Sequence, residues 1–158
     1  MTGAALPAGR LAGVDYGRRR IGVAVCDALR MLASPLCVRE TTGDQEADAA
    51  FFRKLAVDEE VVGFVVGLPV HADGSASDMS REVERFAAWL GRATGLPVTF
   101  HDERYTSREA AGLLAGSGLS RGRKKQRADA VAAQVILAAW LERSAAGDAD
   151  RGPGALEG

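Results

Sequence analysis

Eight consecutive residues, Val61 to Leu68 (VVGFVVGL), carry no polar side chain at all. A strand with one face in water alternates apolar and polar residues, so a continuous apolar run this short belongs in a sheet covered on both faces, as parallel strands are. Helical patterns flank it. In Gln45–Val57, the residues Ala49, Phe52, Leu55 and Ala56 fall at helical spacing, and after a polar loop from Pro69 to Ser77 so do Met79, Val83, Phe86 and Leu90. Helix, buried strand and helix in succession are the units of an α/β layer structure.

Upstream, Arg10–Tyr16 (RLAGVDY) and Arg20–Asp27 (RIGVAVCD) are β-branched, glycine-interrupted runs joined by Gly17, Arg18 and Arg19, which reads as a β-hairpin. Ser34–Glu40 is a third strand, which Pro35 confines to an edge or a strand start. Downstream, Gly95 and Pro97 end the second helix as a C-cap glycine and following proline do, and Pro97–Asp102 (PVTFHD) forms a last strand. Thr106 and Glu109 make a T-x-x-E capping box for a third helix reaching about Gly116, Ser117–Arg127 is a basic loop, and Ala128–Ser144 is a strongly apolar last helix. Residues 1–9 and 145–158 read as disordered ends around one domain, 10–144. The expected class is α/β: a mixed five-stranded sheet, with a three-strand antiparallel meander followed by parallel strands, flanked by helices. Ligands of such sheets gather at the C-terminal ends of the central parallel strands.

Composition narrows the function classes. The chain of 158 residues has 20 Lys and Arg against 21 Asp and Glu, so its net charge of −1 does not advertise a polyanionic partner. Seventeen of those cations are Arg and three are Lys, beside 29 Ala and 19 Gly; a GC-rich coding bias gives this pattern, so Arg abundance by itself says little about phosphate binding. No apolar run approaches the roughly 20 residues of a membrane span. Met1–Gly9 has neither a basic nor an apolar signal region, and with only Cys26 and Cys37 a disulfide framework is not expected, so the expected compartment is a reducing cytoplasm. No evident base stands near Cys26 in sequence, and it reads as a small core residue.

Three acidic positions stand where chemistry would sit. Asp15 ends the first strand, in GVDYG. A turn-forming Asp bonded to its own backbone is the alternative there. The spacing Gly17–Gly22 mimics a phosphate loop, but Val23 and Ala24 occupy the places of the required Lys and Ser or Thr. Asp102 and Glu103 close the last strand, and alternation sends them to opposite faces, so one meets the site and the other meets solvent or Arg104. Asp129 falls on the apolar stripe of the last helix (Ala132, Ala133, Ile136, Leu137, Trp140), where it either caps the helix or points at the sheet. Carboxylates gathered at one sheet edge repel one another unless cations separate them, and hard oxygen ligands select Mg²⁺ or Mn²⁺. Two such ions about 4 Å apart drive in-line phosphodiester hydrolysis. His71 and His101 are scattered, which argues against zinc. Arg121, Arg123, Lys124, Lys125 and Arg127 precede Asp129 without an intervening acid, and Arg18, Arg19 and Arg20 follow Asp15; each run is either a phosphate-holding surface or a solvated charge run.

The stretches DYGRRRIGVAVCDALRMLASPL (15–36), VVGLPVHADGSAS (65–77), DERYTSREA (102–110) and KKQRADAVAAQVIL (124–137) resemble, in order, the four signature stretches of the YqgF family. These are pre-16S rRNA nucleases, also described as Holliday-junction-resolvase-like, with an RNase H-like fold. The likeness covers about Leu11–Ser144; Cys26 stands where Ser is frequent and His71 where Asn is. The resemblance implies Asp15, Glu103 and Asp129 as catalytic and metal-binding carboxylates holding two Mg²⁺ or Mn²⁺ ions, and so favours Glu103 over Asp102. It implies hydrolysis of structured RNA in 5′-end maturation of pre-16S rRNA; on their charge and position, Arg18, Arg19, Arg104, Arg121, Arg123, Lys124, Lys125 and Arg127 are expected to hold that nucleic acid. RNA against branched DNA, endo- against exonuclease action, and monomer against homodimer stay open. Two rival classes remain: a nucleic-acid-binding module without catalysis, and a fragment of an actin-like ATPase, which also opens on D-x-G but builds its site between two such domains.

Overall fold

The computed structural model describes residues 6–71, 73–105 and 121–151, the last segment by backbone alone at 121–127 and 146–151. Its strands are β1 (Arg10–Asp15), β2 (Arg20–Cys26), β3 (Ala33–Glu40), β4 (Val61–Leu68) and β5 (Val98–Asp102). The helices are α1 (Gln45–Asp58), α2 (Asp78–Thr94) and a long helix α3 (Arg121–Arg151). A 3₁₀ turn, Glu103–Tyr105, follows β5 directly.

One sheet holds all five strands in the order β3-β2-β1-β4-β5. β1 and β2 pair antiparallel, as do β2 and β3, whereas β4 runs parallel to both β1 and β5. This is the expected meander followed by parallel strands, and it is RNase H-like. The apolar run is β4, one strand in from the β5 edge and buried along most of its length. Pro35 lies in the opposite edge strand, β3, and the ladder slips one residue beside it, between Val23 and Ala24.

Alternation along the strands divides the core in two. Ala12, Val14, Ile21, Val23, Val25, Phe64 and Val66 face α1 and α2, joining Phe52, Val83, Phe86 and Leu90. Leu11, Ala24, Cys26 and Val65 face α3 and pack on Ala133, Ile136 and Leu137. Cys26 is thus the core residue its surroundings suggest, its sulfur accepting from the Leu11 amide at 3.3 Å. α2 starts on a capping box of Ser77 and Ser80 and stops at Gly95, whose φ of 73° is the left-handed conformation a C-cap glycine supplies.

Three boundaries differ from the sequence reading. α3 is described from Arg121, so residues 121–127 of the stretch read as a basic loop are helical while 117–120 lie outside the described residues, and the helix continues past Ser144 to Arg151. Arg, Lys and Gln are good helix formers, but without an apolar stripe they leave no periodic signal to read. At the other end, Leu6 packs into the α3-side core, and Arg30 donates to the carbonyls of Pro7 and Gly9, so these residues belong to the body of the domain. The helix expected from Thr106 lies outside the described residues. No described helix is long and apolar enough to cross a membrane.

Candidate active site

The parity of β1 places Asp15 on the same face as Leu11 and Gly13, toward α3. In the β1–β2 ladder its partner is Gly22. A Cβ at Gly22 would collide with the Asp129 carbonyl, and one at Gly13 would lie 2.7 Å from Leu137 Cβ. Glycine at both positions lets the α3 backbone lie directly on the sheet. That close approach brings Asp129 beside the end of β1. Asp129 is the ninth residue of α3, too deep for an N-cap, so the capping alternative is ruled out by the earlier start of the helix.

Parity also separates Asp102 from Glu103. His101 is on the α3 face and buried, so Asp102 falls on the other face; there its carboxylate accepts from Arg104 Nε at 3.0 Å and from the Arg104 amide at 2.9 Å. This pairing holds the Asp102 carboxyl below the ordinary carboxylate range. Glu103 returns to the α3 side, its Oε2 lying 3.0 Å from where a Cβ on Gly67 of β4 would be. Burial, and then the Asp102 charge, push the Glu103 carboxyl upward.

Asp15 is the perturbed centre. Its carboxyl is raised from 3.8 to about 7, chiefly by burial and then by the negative charges of Glu103 and Asp129. No donor among the described residues bonds to it. Asp129 is held by Arg20, whose Nε donates to Oδ2 at 2.8 Å. Among the described residues no three His, Cys, Asp or Glu side chains stand at metal-ligand spacing. The three carboxylates therefore share one electrostatic environment without forming a closed coordination shell. An unpaired, half-buried carboxylate flanked by two others fits a hard divalent cation, and the donors are all oxygens.

The cationic positions separate. Arg18 Nε donates to Glu82 at 3.0 Å, and Tyr16 Oη to the same carboxylate at 2.8 Å, on the α2 side of the sheet. Burial and that bond push the Tyr16 phenol up to about 12. Arg19 is exposed at the hairpin turn. Arg104, paired with Asp102, lies against Gly74 of the β4–α2 loop. Arg121, Arg123, Lys124, Lys125 and Arg127 lie in the first turns of α3 by backbone, with side chains outside the described residues. Two relationships were not read from the sequence: the pairing of Arg20, taken there only as part of a basic run, with Asp129, and the burial of His101. Arg20 shares the α3-facing parity of Gly22, a signal that could have paired it with Asp129. His101, buried on β5 with Nε2 unpartnered among the described residues, has no sequence signature beyond strand alternation.

A family model described as "RuvX: Holliday junction resolvase" matches residues 9–143. A Rhodopirellula baltica protein named "Putative pre-16S rRNA nuclease" is 51% identical over 134 residues, covering 85% of this chain and 77% of its own length. A relative of the same name from Chromobacterium violaceum is 45% identical over 130 residues, covering 82% of this chain and 94% of its own. Among solved structures, Thermus thermophilus RuvC matches with a TM-score of 0.54 at 15% identity, over 85% of this chain and 96% of that one, a likeness of fold. With a family model spanning nearly the whole domain and relatives at 45–51% identity, the chain belongs to the RuvX/YqgF family.

Proposed function

We propose that this protein is a divalent-metal-dependent nuclease that hydrolyses phosphodiester bonds in structured RNA, and that its task is 5′-end maturation of pre-16S rRNA in the cytoplasm. The observation that carries the reading is Asp15: a carboxyl raised to about 7 by burial and two neighbouring acids is poorly placed until a cation joins it. Asp15, Glu103 and Asp129 would hold Mg²⁺ or Mn²⁺, which when bound supplies charge stabilisation for phosphodiester hydrolysis. Arg20 keeps Asp129 oriented at the end of β1. Arg18, Arg19, Arg104 and the cations of the first turns of α3 hold phosphates on either side of the carboxylates. The names carried by the relatives support the RNA substrate.

The test is cleavage of a 5′-extended 16S precursor RNA by purified protein. Shortening in Mg²⁺, lost in chelator and in the Asp15→Asn variant, is the expected result; precursor left intact under all conditions overturns the reading. The description of the matching family model favours a second substrate, the four-way DNA junction. Junction cleavage with the RNA untouched would select it, and binding of either without cleavage would select a recognition module.

A further inference from the structure

On the face of the sheet opposite the carboxylates, a groove of about 590 Å³ lies between the β1–β2 hairpin, the start of α1 and the side of α2. Three aromatic rings step along its wall, the middle one, Phe86, buried in the core and the outer two, Tyr16 and Trp89, partly exposed. Tyr16 and Phe86 have centroids 4.7 Å apart with planes tilted 34°, and Phe86 and Trp89 follow at 5.7 Å and 33°. Trp89 is only partly buried. Arg18, Arg85 and Arg92 also line the groove. Its two acids are already engaged: Glu82 accepts from Tyr16 and Arg18, and Asp48 from Arg39 at 3.0 Å. Arg85 and Arg92 are exposed and make no hydrogen bond or ion pair within 4.0 Å among the described residues, although the Arg85 charge is near enough to help lower the Glu82 carboxyl.

We propose that this groove binds a single-stranded stretch of nucleic acid continuous with the strand being cut, which is RNA if the function proposed above holds. The partly exposed rings of Tyr16 and Trp89 can each take a base of any kind while guanidinium groups take the phosphates between, the combination by which proteins hold single strands without sequence preference. The route from groove to carboxylates runs over the hairpin. Arg18 turns to Glu82 in the groove, Arg20 turns to Asp129 on the α3 side, and Arg19 is exposed on the turn between them. A chain draped across the end of β1 therefore meets cations on both faces, with Asp15 and the adjacent Tyr16 directed to opposite sides of the same sheet end. The groove would hold the unpaired leader beside the cut, and the carboxylate side would act on the phosphate itself.

The test uses the full chain with Asp15→Asn, so that nothing is cut, and a fluorescein-labelled, unstructured eight-nucleotide RNA followed by anisotropy over a range of salt. Arg85→Ala with Arg92→Ala should weaken binding about ten-fold and reduce the slope of log K against log salt by about 1.4, at roughly 0.7 for each phosphate no longer neutralised on a single strand. In a Trp140→Phe background, the RNA should quench the remaining Trp89 emission. Binding and slope unchanged in the double arginine variant overturn the proposal, and so does unquenched Trp89. A DNA oligomer of the same sequence distinguishes the sources: preference for RNA assigns the groove to RNA, and equal binding assigns it to single strands of either sugar. A precursor left uncut by the parent, with groove binding intact, counts against the nuclease reading alone. Cleavage with groove-independent binding counts against the groove alone.

Discussion

Gly22 of β2 lies so close beneath Asp129 of α3 that no side-chain carbon fits between it and the Asp129 carbonyl. Because Gly22 is also the ladder partner of Asp15, this approach sets the spacing between two acids that are 114 residues apart in sequence, 129 minus 15. Gly22→Ala must lift the helix or distort the strand. Overpacking of this kind costs about 1–3 kcal/mol, and displacing Asp129 should lower cleavage by more than the stability loss explains. Denaturant melts alongside cleavage rates at a temperature where the variant is folded check both; full activity would mean that Asp129 need not sit so close.

Asp15 sets a pH dependence with a definite sign. Its folded pKa is raised from 3.8 to about 7, so folding favours the protonated form. The resulting stability is complete below about pH 4 and is lost as the pH climbs to 7, an effect on the order of a few kcal/mol. In chelator, Asp15→Asn should therefore melt above the parent at pH 8, and the gap should close toward pH 5. Mg²⁺ at pH 8 should raise the parent's melting temperature and raise that of the variant less. A variant less stable than the parent at pH 8 would show Asp15 to be a structural residue.

Asp102 and Glu103 offer an internal control. Glu103→Gln removes the carboxylate on the carboxylate-cluster face and should reduce cleavage by orders of magnitude with folding intact. Asp102→Asn breaks only a surface pair with Arg104, in which each side chain keeps a quarter or more of its exposure, and should cost about 0–1 kcal/mol with a much smaller drop in rate. Equal effects in the two variants would contradict the division of roles.

Lys124 and Lys125 test the cationic start of α3. If they neutralise phosphates, replacing both with Ala should weaken binding to a structured RNA irrespective of sequence, and flatten the salt slope by about 0.9 for each phosphate set free. An identical slope would leave them a solvated charge run.

What the chain determines by itself is local. The unbroken apolarity of Val61–Leu68 is enough to make β4 an interior strand, since no half-exposed strand could carry it, and Pro35 marks β3 as an edge because it lacks an amide donor. Gly95 ends α2 because a C-cap acts within one turn of the residues it satisfies, whereas Ser77, read as the end of a loop, is its N-cap only in the structure. Strand parity holds the choice between Asp102 and Glu103, yet reading it requires knowing which face α3 covers. The first turns of α3 were illegible because helical propensity without an apolar stripe resembles a charged loop. Only the tertiary structure decides that Asp129 lies eight residues inside its helix, that Arg20 holds it, and that Asp15 is driven to about 7. Those outcomes depend on through-space distance and on the water excluded when α3 settles on Gly13 and Gly22, quantities that no spacing along the chain encodes.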